Sequence, residues 1–323
     1  MGRKLQLVML ILLGSALSAA IFYAFWLAFP RTSVQLQDVV ETNSRAGETS
    51  NDTTGPARPK IIRETPLPDS YFKFVCKSHT DINQSGANQK IDAEIELKYT
   101  HQKITGGLFL SFLSFELRMF QDGSLVEDTL MTRDKYVQQQ GSQKTESALE
   151  DLPPDQQEAL TAAFTANLLK ISLDANQNEL GREILSDAGF ALINEGNINT
   201  VRLMHGPYYI GTNDWKSLRR IPMTHGIIID CPVIYSRQSA GSDQINVNGS
   251  LKKDEIDSDQ PGLTLKNVSC DMTGTETFNE NENEYTSGKL KIDYNFQVLQ
   301  SGADPANLSG DLINSLEEVS NKK

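Results

Sequence analysis

Cysteine, histidine and positive charge are all scarce in this sequence. Three cysteines, Cys76, Cys231 and Cys270, in 323 residues are too few for a disulfide framework. They allow at most one intramolecular bridge, and no spacing selects among the three pairings. Each sits in an apolar or strand-like setting (FKFVCKS, IIIDCPVI, KNVSCDM), which suits a buried free thiol equally well. Lys and Arg total 30 against 42 Asp and Glu, for a formal charge of −12. That balance argues against a nucleic-acid partner, because replacing the counterions of a polyanion takes clustered cations.

Catalytic signatures are missing too. No G-x-S-x-G, P-loop, H-E-x-x-H or C-x-x-C occurs, and the near matches fail in their context. Ser250-Leu-Lys-Lys253 has the Ser-x-x-Lys spacing of some acyl-enzymes, but it follows Asn248-Gly249, which reads as a hairpin turn, and its companion motifs are absent. Asp81-Ile-Asn83-Gln-Ser85-Gly86 with Asp92 imitates a calcium loop. The twelfth position is Asp rather than bidentate Glu, and strand-like sequence flanks it where such a loop needs helices. It reads as a polar hairpin. Asp174-Ala-Asn176-Gln-Asn178 lacks the glycine and reads as a turn. His205 and His225, with Asp230 or Cys231 as further donors, are glycine-adjacent turn histidines, and nothing in their spacing makes them converge on a metal. No catalytic residue, metal ligand or cofactor is assigned.

What the chain does have is a charge-free run from Leu5 to Phe29, preceded by Arg3 and Lys4 and closed by Pro30-Arg31. About 20 apolar residues at 1.5 Å rise cross a ~30 Å hydrocarbon core. Small residues at 15–20 resemble a signal-peptidase site, yet Ile21 to Phe29 prolongs the apolar run beyond an ordinary signal peptide. The run reads as an uncleaved anchor, with residues 1–4 cytoplasmic and the remainder exported. This places the protein in the cell inner membrane as a single-pass protein, held through residues 5–29, with its C-terminal domain in the periplasm or cell exterior. Residues 30–70, rich in Thr, Asn, Gly and Pro, read as a flexible tether.

Strand alternation follows. Ile91, Ala93, Ile95, Leu97 and Tyr99 interleave with charged residues, and Leu290, Ile292, Tyr294, Phe296 and Val298 repeat the pattern. Leu108 to Phe120 is a more apolar strand ending at Asp122-Gly123, a tight-hairpin dipeptide. Segments 226–235, 244–251 and 263–278 also read as strands. Helices are expected at 156–168, where Asp155 and Glu158 have capping-box spacing, more weakly at 180–195, and at 306–319 through Leu308, Leu312, Leu316 and Val319. The expected fold is α+β: a transmembrane helix and tether, a mainly antiparallel β-sheet domain over 71–300 with a few helices, and a tail over 301–323 that is helical in part.

One local anomaly bears on function. Between residues 202 and 220 this acidic chain carries Arg202, Lys216, Arg219 and Arg220 against one carboxylate, Asp214, interleaved with Tyr208, Tyr209 and Trp215. Guanidinium groups beside amphipathic aromatics suit a protein or anionic-lipid partner. The bland reading is a loop whose arginines pair with the chain's own carboxylates. Together these features describe a membrane-anchored binding or scaffold protein of the cell envelope. The alternatives are a half-barrel-like domain that binds lipid or another hydrophobic ligand, and a hydrolase without a recognisable motif. An exposed apolar patch favours the first, a cavity inside the sheet the second, and a cleft with a perturbed acid or base the third.

Overall fold

The computed structural model describes residues 65–173, 179–186, 214–222, 228–239, 241–257, 263–280, 284–300 and 304–320. The first strand, β1 (Ser70–Gln84), opens an antiparallel meander with β2 (Ala87–Ile104), β3 (Gly107–Gln121), β4 (Ser124–Thr132), β5 (Lys135–Gln140) and β6 (Gln143–Ala148). The β1–β2 connection is Ser85-Gly86 with φ of 52° and 80°, and the β3–β4 connection is Asp122-Gly123 with φ of 50° and 79°. Two consecutive positive φ values make a turn whose twist matches the flanking strands. The calcium-like stretch 81–92 is therefore a plain two-residue hairpin.

A short helix, α1 (Pro154–Thr165), and the pair β7 (Leu169–Leu173) and β8 (Glu179–Ile184) follow. A second meander runs through β9 (Trp215–Pro222), β10 (Ile228–Arg237), β11 (Gln244–Asp257), β12 (Leu263–Asn279), β13 (Glu284–Gln300) and β14 (Ala306–Ser320). The two meanders join where β14 pairs along the length of β1, from Ser70↔Ser320 to Gln84↔Ala306. The path is β6-β5-β4-β3-β2-β1-β14-β13-β12-β11-β10-β9, with β7 and β8 beside it. Long β3 makes this branch possible: Ser114–Gln121 pairs with β4, while Gly107–Leu110 pairs with β7 on the same edge. At Gly107 a side chain would collide with the Ile171 carbonyl oxygen, so only glycine lets β7 approach. Helix α1 packs on β3 and β4, burying Leu160, Ala163 and Phe164.

Period-2 alternation gives every long strand one apolar side. Phe74, Leu97, Leu117, Ile292, Leu312 and Val247 lie on that side and are buried, within one continuous core spanning both meanders. The opposite side carries charge, with pairs such as Lys73–Glu96 at 3.0 Å and Lys77–Glu94 at 3.2 Å. Helix α1 covers the β3–β4 part, and on the β9 wing the sheet curves over itself. The ion pair between Arg219 on β9 and Glu276 on β12 measures that curvature. Trp215, Tyr235, Val247 and Gly274 are in register across β9, β10, β11 and β12, and the two ions lie on opposite sides of this ladder. On a flat sheet their Cα atoms would stand about 24 Å apart, from strand spacings near 4.8 Å and a rise of about 3.3 Å per residue. Their side chains meet at 2.6 Å. The inner face of this corner holds Gly249 and Gly274, where a side chain would meet the Pro232 carbonyl oxygen at 2.9 Å or collide with that of Lys289. Inward glycines are where a sheet can bend this sharply.

These observations correct the α+β expectation to a mostly antiparallel β-sheet domain with one α-helix among the described residues. The helix expected at 156–168 is α1, set by Pro153-Pro154 rather than by a capping box: its N-cap is Pro153 and no side chain caps it. The segment 180–195 is not helical where described, since Glu179–Ile184 is β8. The expected tail helix at 306–319 is β14, the strand that joins the two meanders. Among the described residues no helix is long and apolar enough to cross a membrane. Residues 5–29 and most of the tether lie outside the described residues, as do 174–178, His205 and His225. The signal anchor and the single-pass inner-membrane placement have no spanning helix among the described residues to rest on and are withdrawn.

Candidate functional site: the inner face of an open sheet

The two ends of the strand path, β6 and β9, are not paired with each other. Among the described residues the sheet is thus a rolled trough, and its inner face carries one continuous apolar core. Three sets of polar groups interrupt it.

The first lies on the β9 wing. Arg219, 3 % exposed, donates through Nη2 to both carboxylate oxygens of Glu276 at 2.6 and 2.8 Å, and through Nε to the Tyr235 hydroxyl. Its guanidinium carbon also stands 5.2 Å from the Tyr235 ring centre. Burial works against the charged guanidinium, but the facing Glu276 carboxylate more than offsets it and raises its pKa. Trp215 stacks on Tyr235 with ring centres 5.1 Å apart and planes 8° apart.

The second set lies on the β4 wing. Glu127 is buried on the inner side and accepts a 2.8 Å hydrogen bond from the Thr129 hydroxyl. Burial pushes its carboxyl above the usual carboxylate range, against hydrogen bonds from Thr129 and Gln138.

The third is at the centre. Thr80 Oγ1 and Tyr294 Oη are 2.5 Å apart, bridging β1 and β13 over Gly310 of β14, which is in register with both. Along the same strand, Asn314 is 0 % exposed.

The sequence-derived binding residues divide accordingly. Arg202, Tyr208 and Tyr209 lie outside the described residues. Trp215 and Arg219 are drawn into the interior, and Lys216 between them is exposed. Arg220 belongs to β9 and pairs in register with Asp230. The alternation of β9 therefore splits the cationic cluster between two faces. Sequence reading missed Glu276, Glu127 and Asn314. The available signal was register: Glu276 and Asn314 fall on inward positions of strands whose other inward residues are apolar, and Glu127 shares its inward face with Thr129 and Met131. All three cysteines are free and buried, and among the described residues no group of His, Cys, Asp and Glu could hold a metal ion.

No protein-family model matches the chain, and no curated protein does. Among solved structures it is similar to a lipovitellin described for its lipid–protein interactions, at 8 % identity and a TM-score of 0.42, over 80 % of this chain and 26 % of that one. It is also similar to a putative AttH from Nitrosomonas europaea, at 10 % identity, a TM-score of 0.19 and coverage of 84 % and 59 %. A third is OpdQ of Pseudomonas aeruginosa, at 5 % identity, a TM-score of 0.20 and coverage of 78 % and 100 %. The chain spans about a quarter of the lipovitellin chain and about three-fifths of the AttH chain. What these proteins have in common with it is extensive antiparallel sheet; at these scores the likenesses carry no functional argument. Outer-membrane proteins recur among the matches.

Proposed function

We propose that the domain binds a hydrophobic ligand, a lipid or acyl chain, along the inner face of its rolled sheet. One observation carries this reading: ten successive strands, from β4 through β1 and β14 to β9, contribute to a single apolar core, while the end strands β6 and β9 are not paired with each other. A sheet closed by hydrogen bonds can open only by breaking a ladder, whereas a trough with an unpaired seam opens by parting side chains. Parting the wings exposes apolar surface, and an apolar chain lying between them covers it again. At ~0.8 kcal/mol per buried methylene, a chain of about sixteen methylenes gains on the order of 12 kcal/mol before the costs of ordering and of opening the trough.

The test is equilibrium binding of diphenylhexatriene, a neutral apolar fluorophore, to the full-length chain, with 1-octadecene as competitor. Saturable fluorescence displaced by the alkene is the expected result. Signal that rises without saturation, or that the alkene does not displace, would overturn the reading.

A protein-binding module is the second reading, and it draws on Leu218 and Ile234, which are 62 % and 47 % exposed on adjacent strands β9 and β10. Replacing both by Ser should leave fluorophore binding intact under the first reading.

A further inference from the structure

Asn314 stands at the middle of the trough and is the polar residue its surroundings serve least. On its strand the neighbouring inward residues are Leu312 and Leu316, and in register with it are Cys76 on β1 and Leu290 on β13. Burial pushes the Cys76 thiol up to about 12, so it is neutral. Neither Nδ2 nor Oδ1 of Asn314 has a hydrogen-bond partner among the described residues. An unsatisfied buried amide is costly, and a leucine of similar volume would avoid the cost. Trp215 Nε1 and Gln89 Nε2 are also unpartnered, but Trp215 sits on an end strand and Gln89 near a hairpin turn. Asn314 alone of the three lies on the strand that joins the two meanders.

We infer that Asn314 is the recognition point for the polar end of a ligand in the trough, and that the ligand is an acyl chain bearing a neutral amide. This rests on the hydrophobic-ligand reading above. A carboxamide offers one donor and one acceptor side by side. Its complement is a group that presents a carbonyl oxygen to Nδ2 and an N–H to Oδ1, as another amide does. An ester satisfies only Nδ2, and a hydrocarbon neither. An ionised carboxylate is disfavoured, because no cation occupies a neighbouring inward position on β1, β13 or β14 and a buried charge without a partner is strongly penalised.

The experiment measures displacement of diphenylhexatriene by oleamide, methyl oleate and 1-octadecene from the full-length protein and from Asn314→Leu, with urea unfolding of both proteins without ligand. In the parent, oleamide should displace at a concentration about tenfold or more below that of 1-octadecene, with methyl oleate between them. In Asn314→Leu the three competitors should converge while the fluorophore still binds. The variant's urea midpoint should equal or exceed the parent's. A parent that ranks the three alike overturns the inference and leaves the hydrophobic-ligand reading standing; this comparison does not depend on the variant. A lower midpoint for Asn314→Leu means that the amide is already paired in the free protein, which also overturns it. Absence of saturable fluorophore binding to the parent removes both.

Discussion

Arg219 Nη2 donates to both carboxylate oxygens of Glu276, at 2.6 and 2.8 Å, in the interior, joining strands that lie three places apart in the sheet. The pair acts as a strap across the rolled wing. Removing one partner leaves a buried charge without compensation, so Arg219→Met should destabilise the domain by about 3–5 kcal/mol. Adding Glu276→Leu should restore most of that loss. Urea unfolding of the single and double variants decides it: a single-variant loss below about 1 kcal/mol would mean that the pair is solvated.

Gly310 should be as intolerant as any core position. A side chain there would collide with the His79 carbonyl oxygen across the β1–β14 ladder and meet Tyr294 Oη at 2.8 Å. Gly310→Ala is expected to cost at least about 1–3 kcal/mol, as overpacking does. An unchanged urea midpoint would show that β1 and β14 do not approach as closely as described.

Much of the sheet was legible in the sequence and its central strand was not, for a definite reason. Alternation over 91–99 and 290–298 places Leu97, Tyr99, Ile292 and Phe296 inside, as it predicts, because nothing but a strand repeats every second residue. Leu308, Leu312 and Leu316 are spaced by four, which is both an even number and close to one helical turn. The pattern fits a strand face and a helix stripe alike, and Gly310, which reads as a helix weakness, marks instead a place where two backbones nearly touch. Asn248-Gly249 misleads in the same way: it has turn chemistry but lies inside β11, where the glycine makes room for Cys231, whose sulphur would be 3.2 Å from a side-chain carbon there. The cationic cluster was visible as composition. That Arg219 turns inward depends on Glu276, more than fifty residues away in sequence, and no local signal carries that.

Glu127 makes stability depend on pH. Burial raises its carboxyl pKa in the folded state above the unfolded value, so its contribution is fully present below the unfolded pKa and is lost as pH rises through the folded one. Glu127→Gln should therefore stabilise the domain at neutral pH, with an advantage that shrinks as pH falls towards 4. Urea midpoints of parent and variant between pH 4 and 8 test this, and a constant difference would contradict it.

The thiols give an independent check of the packing. Cys76, Cys231 and Cys270 are buried, and Cys231 Sγ donates to the Pro232 carbonyl oxygen at 3.7 Å. All three should resist a maleimide in the native protein and react together on unfolding. Rapid native labelling of any one would mean that its part of the inner face is open to water.

Site-mapped photo-crosslinking shows whether an apolar chain occupies the inner face. An octadecyl amide carrying a mid-chain diazirine is bound to the full-length protein, irradiated, and located by peptide mass spectrometry. The account predicts attachment at inward residues such as Phe74, Leu97, Ile292 and Leu312, suppressed by excess oleamide. Attachment confined to outward residues such as Leu218 and Ile234 would contradict it.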